Sequence, residues 1–96
     1  MSESKSSLIL PSANTMVKAM KLGIKYTKPI DCYFYLDSTN EKVSLMSDGE
    51  TTIIYKNDDE HTSPVIKHFV SDDDLIIVTE NTIYILHSKT PVKTAE

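Results

Sequence analysis

Residues 57–68 read "NDDEHTSPVIKH" and gather side chains that could do chemistry: Asp58, Asp59, Glu60 and His61 in succession, with His68 seven positions after His61. Carboxylates and imidazoles are ligands for divalent cations, and His87 further along could add a third imidazole. Four consecutive residues cannot all point at one ion, however, and the loop spacing of an EF-hand is missing. The acidic run therefore reads as a solvated connector between strands. His61 lies before the following strand and His68 within it, so the two histidines do not form a ready-made pair. A second acidic run, Asp72, Asp73 and Asp74, precedes a very apolar segment, where charge keeps a strand end soluble. Cys32 is the single cysteine of the chain. A nucleophilic cysteine needs a helix N-terminus or an adjacent base. Cys32 instead alternates with Phe34 and Leu36 and reads as a small core residue. Gly23 and Gly49 are the only glycines, so there is no phosphate-cradling loop. No catalytic residue, metal ligand or cofactor is expected, and the chain reads as a non-enzyme.

Binding offers more than catalysis. There are five tyrosines and no tryptophan. On a strand, Tyr33 and Tyr35 would share the face opposite Cys32, Phe34 and Leu36, and tyrosine supplies apolar area with a polar tip. Lys18, Lys21, Lys25 and Lys28 surround Tyr26 and form a basic patch suited to a phosphate-bearing ligand or an acidic partner. The same lysines could equally pair with the acidic remainder of the protein. Residues 1–30 carry five lysines against Glu3, whereas residues 31–96 carry five lysines against thirteen acids. All ten basic residues are lysine, so the bidentate arginine contacts of nucleic-acid recognition are missing. The candidate binding residues are therefore Lys21, Lys25, Tyr26, Lys28, Tyr33 and Tyr35.

The elements that must position these groups follow from patterning. Ninety-six residues make one domain; residues 1–10 and 89–96 read as disordered tails flanking a domain at 11–88. Ser12 is a good N-cap for a helix, and Ala13, Met16, Val17, Met20 and Ile24 recur at helical spacing. Gly23 reads as the residue that stops this helix. Everything later is strand-like: "DCYFYLDS", "KVSLMS", "TTIIYK", "PVIKHFV", "LIIVT" and "TIYIL". Asp48-Gly49 predicts a two-residue hairpin pairing Leu45 with Thr52 and Val43 with Ile54. Glu80-Asn81 predicts a second hairpin that is apolar on both faces, with Ile76, Val78, Ile83 and Ile85 on one and Leu75, Ile77, Tyr84 and Leu86 on the other. An antiparallel hairpin with a wet face alternates apolar and polar residues. Either the helix covers one face and a sheet the other, or a second subunit covers one. Leu75, Ile77, Tyr84 and Leu86 are the candidate oligomer interface.

Residues 60–86 also resemble a pattern in small uncharacterised accessory proteins of bacteriophages and large DNA viruses. There a Thr-Ser-Pro-hydrophobic start leads into a strand and then an Asn-turn hairpin. The matching positions are Thr62, Ser63, Pro64, Val65 and Ile66, then Ile76, Thr79, Asn81, Thr82, Tyr84 and Leu86. The resemblance covers less than a third of the chain and implies a viral accessory role with no catalytic residues.

The expected fold is α+β, a short N-terminal helix packed on an antiparallel sheet that curls into a small SH3-like barrel or half-barrel. The alternative is an open meander whose uncovered face dimerises. The expected function is a non-catalytic protein-interaction module, a viral accessory factor acting as a homo-oligomer with a host or viral protein as partner. A nucleotide-signal binder that counteracts host defence is the alternative, with Lys25, Lys28 and the tyrosines as contacts. Nucleic-acid binding through the helix lysines ranks last. The N-terminus lacks the apolar stretch of a signal peptide, and no run approaches a membrane span, so an intracellular protein that is neither secreted nor membrane-bound is expected.

Overall fold

Ser12 caps the first helix as its residue type suggests: its Oγ accepts from the Thr15 amide at 3.0 Å. The computed structural model, which describes residues 9–94, has helix α1 over Ala13–Tyr26. Gly23 does not end it. The helix runs on to Thr27, which takes the left-handed conformation with a φ of 56°. Gly23 serves close approach instead. A Cβ there would stand 3.1 Å from the Lys28 carbonyl oxygen and 3.4 Å from the Ile30 side chain. Without one, the chain can fold back against the helix.

The face that α1 buries also differs from the expected stripe. Thr15 and Ala19 are fully buried, with Met16, Leu22 and Tyr26 packed beside them, whereas Ala13, Val17, Met20 and Ile24 are exposed. Two physical effects decide this. The Thr15 hydroxyl donates to the buried carboxylate of Asp74, and the small Ala19 lets the helix sit close to the sheet beneath.

That sheet contains β1 (Ile30–Asp31), β5 (Val65–Ser71), β6 (Asp74–Thr79) and β7 (Ile83–His87), in the order β1-β7-β6-β5. A second sheet contains β2 (Ser44–Ser47), β3 (Thr52–Asn57), β4 (Glu60–His61) and β8 (Val92–Thr94), in the order β4-β3-β2-β8. β1 runs parallel to β7 and β8 parallel to β2; the other pairings are antiparallel. The class is α+β, but the strands form two open four-stranded sheets, and no closed barrel is present among the described residues. The stretch after Lys89, expected as a tail, supplies β8. Residues 1–8 and 95–96 of the expected tails lie outside the described residues.

The β6–β7 hairpin has the predicted register, Val78 opposite Ile83 and Ile76 opposite Ile85. Its two apolar faces explain the layering. Ile76, Val78, Ile83 and Ile85 form a core with Ala19 of α1 and Tyr35. On the reverse face, Ile77 and Leu86 pack on Phe34, Val43 and Ile54. Ile77 is 1% exposed and Leu86 0%; Leu75 and Tyr84 are half-buried against the same cluster. This corrects the expected oligomer interface. Helix and second sheet cover the two faces within one chain, so Ile77 and Leu86 are core residues and Leu75 and Tyr84 flank them.

Two local expectations also change. The β2–β3 loop has four residues, because Asp48 Oδ1 accepts from the amides of both Glu50 (3.0 Å) and Thr51 (2.8 Å). Leu45 consequently pairs with Ile54, two positions away from the expected Thr52. The "DCYFYLDS" segment is not a strand beyond Asp31 but a turn leading into α2 (Tyr35–Thr39). Adjacent Phe34 and Tyr35 are both buried, one on each face of the first sheet, while Cys32, Tyr33 and Leu36 are exposed. Alternation fails here because α2 closes the edge of β7 where the two-residue β1 runs out. Ser38 Oγ accepts from the His87 amide at 2.9 Å and donates to the Tyr35 carbonyl.

Candidate functional site

The most concentrated polar chemistry surrounds Asp74, which is 2% exposed. Its Oδ2 accepts from the Ser12 amide (3.0 Å) and Thr15 Oγ1 (2.7 Å), and its Oδ1 accepts from the Tyr35 hydroxyl (2.6 Å). A carboxylate at a helix N-terminus also meets the positive end of the helix dipole. The Tyr35 phenol is pushed above its ordinary value of 10.0, first by burial and then by the hydrogen bond to Asp74. Every named donor here has its acceptor, and the cluster ties α1, α2 and β6 together. It is a clamp, not an open site. The sequence reading missed it by treating Asp72–Asp74 as one solvated run. A usable signal existed, since Asp74 is in phase with the buried Ile76 and Val78, two and four residues later.

The sequence-predicted binding residues do not assemble. Tyr35 is committed to Asp74. Tyr33 is exposed on the turn before α2, donates to Glu60 Oε2 at 2.9 Å, and has the Lys56 ammonium 5.9 Å from its ring. Lys56 also bridges Asp37 at 3.0 Å, so Tyr33 belongs to a surface network that ties α2 to the second sheet. At the end of α1, Lys25 and Lys28 place their Nζ atoms 5.6 and 5.9 Å from the Tyr26 ring. Lys28 Nζ donates to the Thr79 carbonyl at 2.6 Å, which leaves less of it for a ligand. Lys21 is exposed on a different flank of α1, beside Lys18. Cys32 is exposed, correcting its placement in the core; local desolvation and then the Asp31 carboxylate push its thiol up, away from the thiolate form.

The residues behind the resemblance at 60–86 have structural work. Thr62 Oγ1 accepts from the Ile54 amide, Thr79 and Thr82 bond each other across the β6–β7 turn, and Asn81 reaches Ser63. Among the described residues, no three His, Cys, Asp or Glu side chains come together as a metal site requires.

What remains open is β5. Among the described residues, β6 is its only strand neighbour. Residues 66–70 are all exposed, including Ile66, Phe69 and Val70, the last at 68%. The pairing of β5 with β6 starts from Ser71 opposite Asp74 across a two-residue turn. Alternation of bonded and non-bonded pairs from that end turns the main-chain groups of Val70 and His68 toward the free edge. A cleft of about 340 Å³ lies on the helix side, lined by Lys18, Lys21, Leu22, Phe69, Val70 and Ile76. A second, of about 380 Å³, opens on the other side between the sheets, with Leu45, Ile66, His68, Leu75 and Val92 in its lining. The Lys67 side chain falls on the same strand face as Phe69, adding a third cation on the helix side.

Sequence and structural comparisons return no counterpart: no family model, curated protein or solved structure matches the chain. Among the described residues, no helix is long and apolar enough to cross a membrane.

Proposed function

We propose that this protein is a non-catalytic interaction module that takes an extended segment of a partner protein onto the free edge of β5. The observation that carries this reading is a seven-residue edge strand with an apolar cleft on each face. An added strand would take ladder bonds from the Val70 and His68 main chain, and its alternate side chains would enter the two clefts. Lys18, Lys21 and Lys67 favour acidic residues at the partner positions that face α1. Pro64 and the bulge between Val65 and Lys67 guard the start of the strand against indiscriminate pairing, leaving its second half for a specific partner. The role fits a small accessory adaptor of the kind the resemblance at 60–86 implies. The nucleotide-binding alternative has less support, because Tyr35 is buried and Lys28 is committed to a carbonyl.

The test is selection of peptides from a random display library on the full chain, followed by amide hydrogen exchange of the complexes. Selected peptides are expected to slow exchange at His68 and Val70 and to lose binding at least tenfold to Val70→Pro, which removes an outward amide without touching the β5–β6 ladder. Protection elsewhere, or binding indifferent to Val70→Pro, would overturn the reading.

A further inference from the structure

Helix α1 carries a second apolar face that the core does not use. Ala13, Val17, Met20 and Ile24 are spaced by four, three and four residues, the a/d spacing of a coiled-coil seam. Val17 is 50% exposed, Met20 56% and Ile24 81%. A soluble helix with one buried face normally shows polar residues on the other; here the face opposite Thr15, Ala19, Leu22 and Tyr26 is apolar. We infer that this seam pairs two copies of the chain, with the two α1 helices antiparallel about a two-fold axis.

Three observations select a second copy, and this orientation, over another occupant. The first is size matching. Antiparallel pairing centred between Val17 and Met20 sets Val17 against the partner copy's Met20 and Ala13 against its Ile24, a smaller residue against a larger one in every layer. Parallel pairing would stack alanine on alanine at one end and isoleucine on isoleucine at the other. The second is charge. Lys21 flanks the seam and meets the neutral Asn14 of the other copy; Lys18 and Lys25 point away, so no lysines face each other across the seam. The opposed helix dipoles also favour this direction.

The third is a knob and a hollow at opposite ends of the same seam, as a two-fold interface requires. Leu10, just before α1, is 67% exposed. Beyond Ile24 lies a hollow of about 360 Å³ lined by Met20, Gly23, Ile24, Lys28, Pro29 and Ile30. The antiparallel register carries Leu10 of each copy to that hollow on the other. The seam spans only four side-chain layers, short against a standard interface of ~1,600 Å², so a weak, concentration-dependent dimer is expected.

Sedimentation velocity of the full chain over a concentration series tests the inference. The weight-average mass is expected to rise reversibly from 10.8 kDa toward twice that value. Met20→Lys combined with Ile24→Lys, both at exposed positions, is expected to weaken association at least tenfold while leaving the thermal midpoint unchanged at high dilution, where both proteins are monomeric. Leu10→Ser is expected to weaken it less, and Val70→Pro at the β5 edge not at all. A mass that stays monomeric throughout would overturn the inference, as would a dimer that survives the double lysine variant or one that Val70→Pro abolishes. Ala13→Cys in a Cys32→Ser background gives a further check, because ready self-crosslinking under mild oxidation would require the parallel arrangement.

Discussion

β6 and β5 are adjacent strands of one sheet, nearly equal in length, and their environments are opposite. In β6, residues 76–79 are almost wholly buried; in β5, residues 66–70 are all exposed. Hydrophobicity alone does not explain this, since β5 carries Val65, Ile66, Phe69 and Val70. Position does. β6 has a strand on each side, α1 over one face and the second sheet against the other. β5 has a strand on one side, and both faces adjoin clefts. The pair Lys67-His68 interrupts the apolar run of β5 and is the visible mark of that difference in the sequence. The comparison separates a strand that holds the fold together from one available for contact.

The contrast breaks most sharply at the first residue of β6. Asp74→Ala would delete three hydrogen bonds, leave the Tyr35 hydroxyl and the Ser12 amide without their acceptor, and release the start of α1 from the sheet. Hydrogen bonds to a charged group contribute more than neutral ones, so a loss of about 4 kcal/mol is expected. Urea unfolding followed by circular dichroism measures it. A loss below about 1 kcal/mol would mean that the clamp is not a unit of the folded core.

A matched pair of truncations sharpens the same contrast. Ile77→Ala in β6 removes buried volume between the two sheets and is expected to cost about 3 kcal/mol. Val70→Ala trims an apolar side chain of β5 but is expected to cost less than about 1 kcal/mol, since Val70 is 68% exposed. Equal losses in chemical denaturation would show that β5 is covered in solution and would count against its being a free docking edge.

The sequence made the closed region more legible than the open one. Two-sided apolarity and the Glu80-Asn81 turn were enough to set the β6–β7 register and to show that both hairpin faces need cover. Which layers supply that cover depends on chain crossings that periodicity does not encode. The segment after Asp31 misled because five apolar or aromatic residues, Cys32 to Leu36, mimic alternation, although Asp37, Ser38 and Asn40 favour turns and caps over strand interiors. The α1 stripe misled for another reason. The more apolar face of the helix is the one left outside, while the inner face holds a threonine and an alanine chosen for a hydrogen bond and for close approach. Binding candidates chosen by residue type, Tyr33 and Tyr35 among them, were separated by that same helical turn. β5 was recognised as a strand, but its place at the edge was not.

A smaller effect probes the clamp from the side of Tyr35 and has a pH signature. Tyr35→Phe keeps the ring in the core but leaves Asp74 Oδ1 without its hydroxyl donor, for an expected loss of about 1.5 kcal/mol at neutral pH. The folded phenol is held above 10.0, chiefly by burial and next by Asp74, whereas in the unfolded chain it ionises near its ordinary value. A proton retained by the folded state and lost by the unfolded one stabilises fully below the unfolded value, and that contribution declines as pH rises toward the folded one. The stability gap between wild type and Tyr35→Phe is therefore expected to be constant from pH 6 to about 9 and to narrow above about 10. Tyr33 and Tyr55 are also pushed up, by hydrogen bonds to Glu60 and Asp58, but both are present in each protein and drop out of the difference. Urea midpoints of the two proteins across this range supply the measurement. A gap that stays constant well above pH ~10 would place the Tyr35 hydroxyl in water and remove it from the clamp that distinguishes β6 from β5.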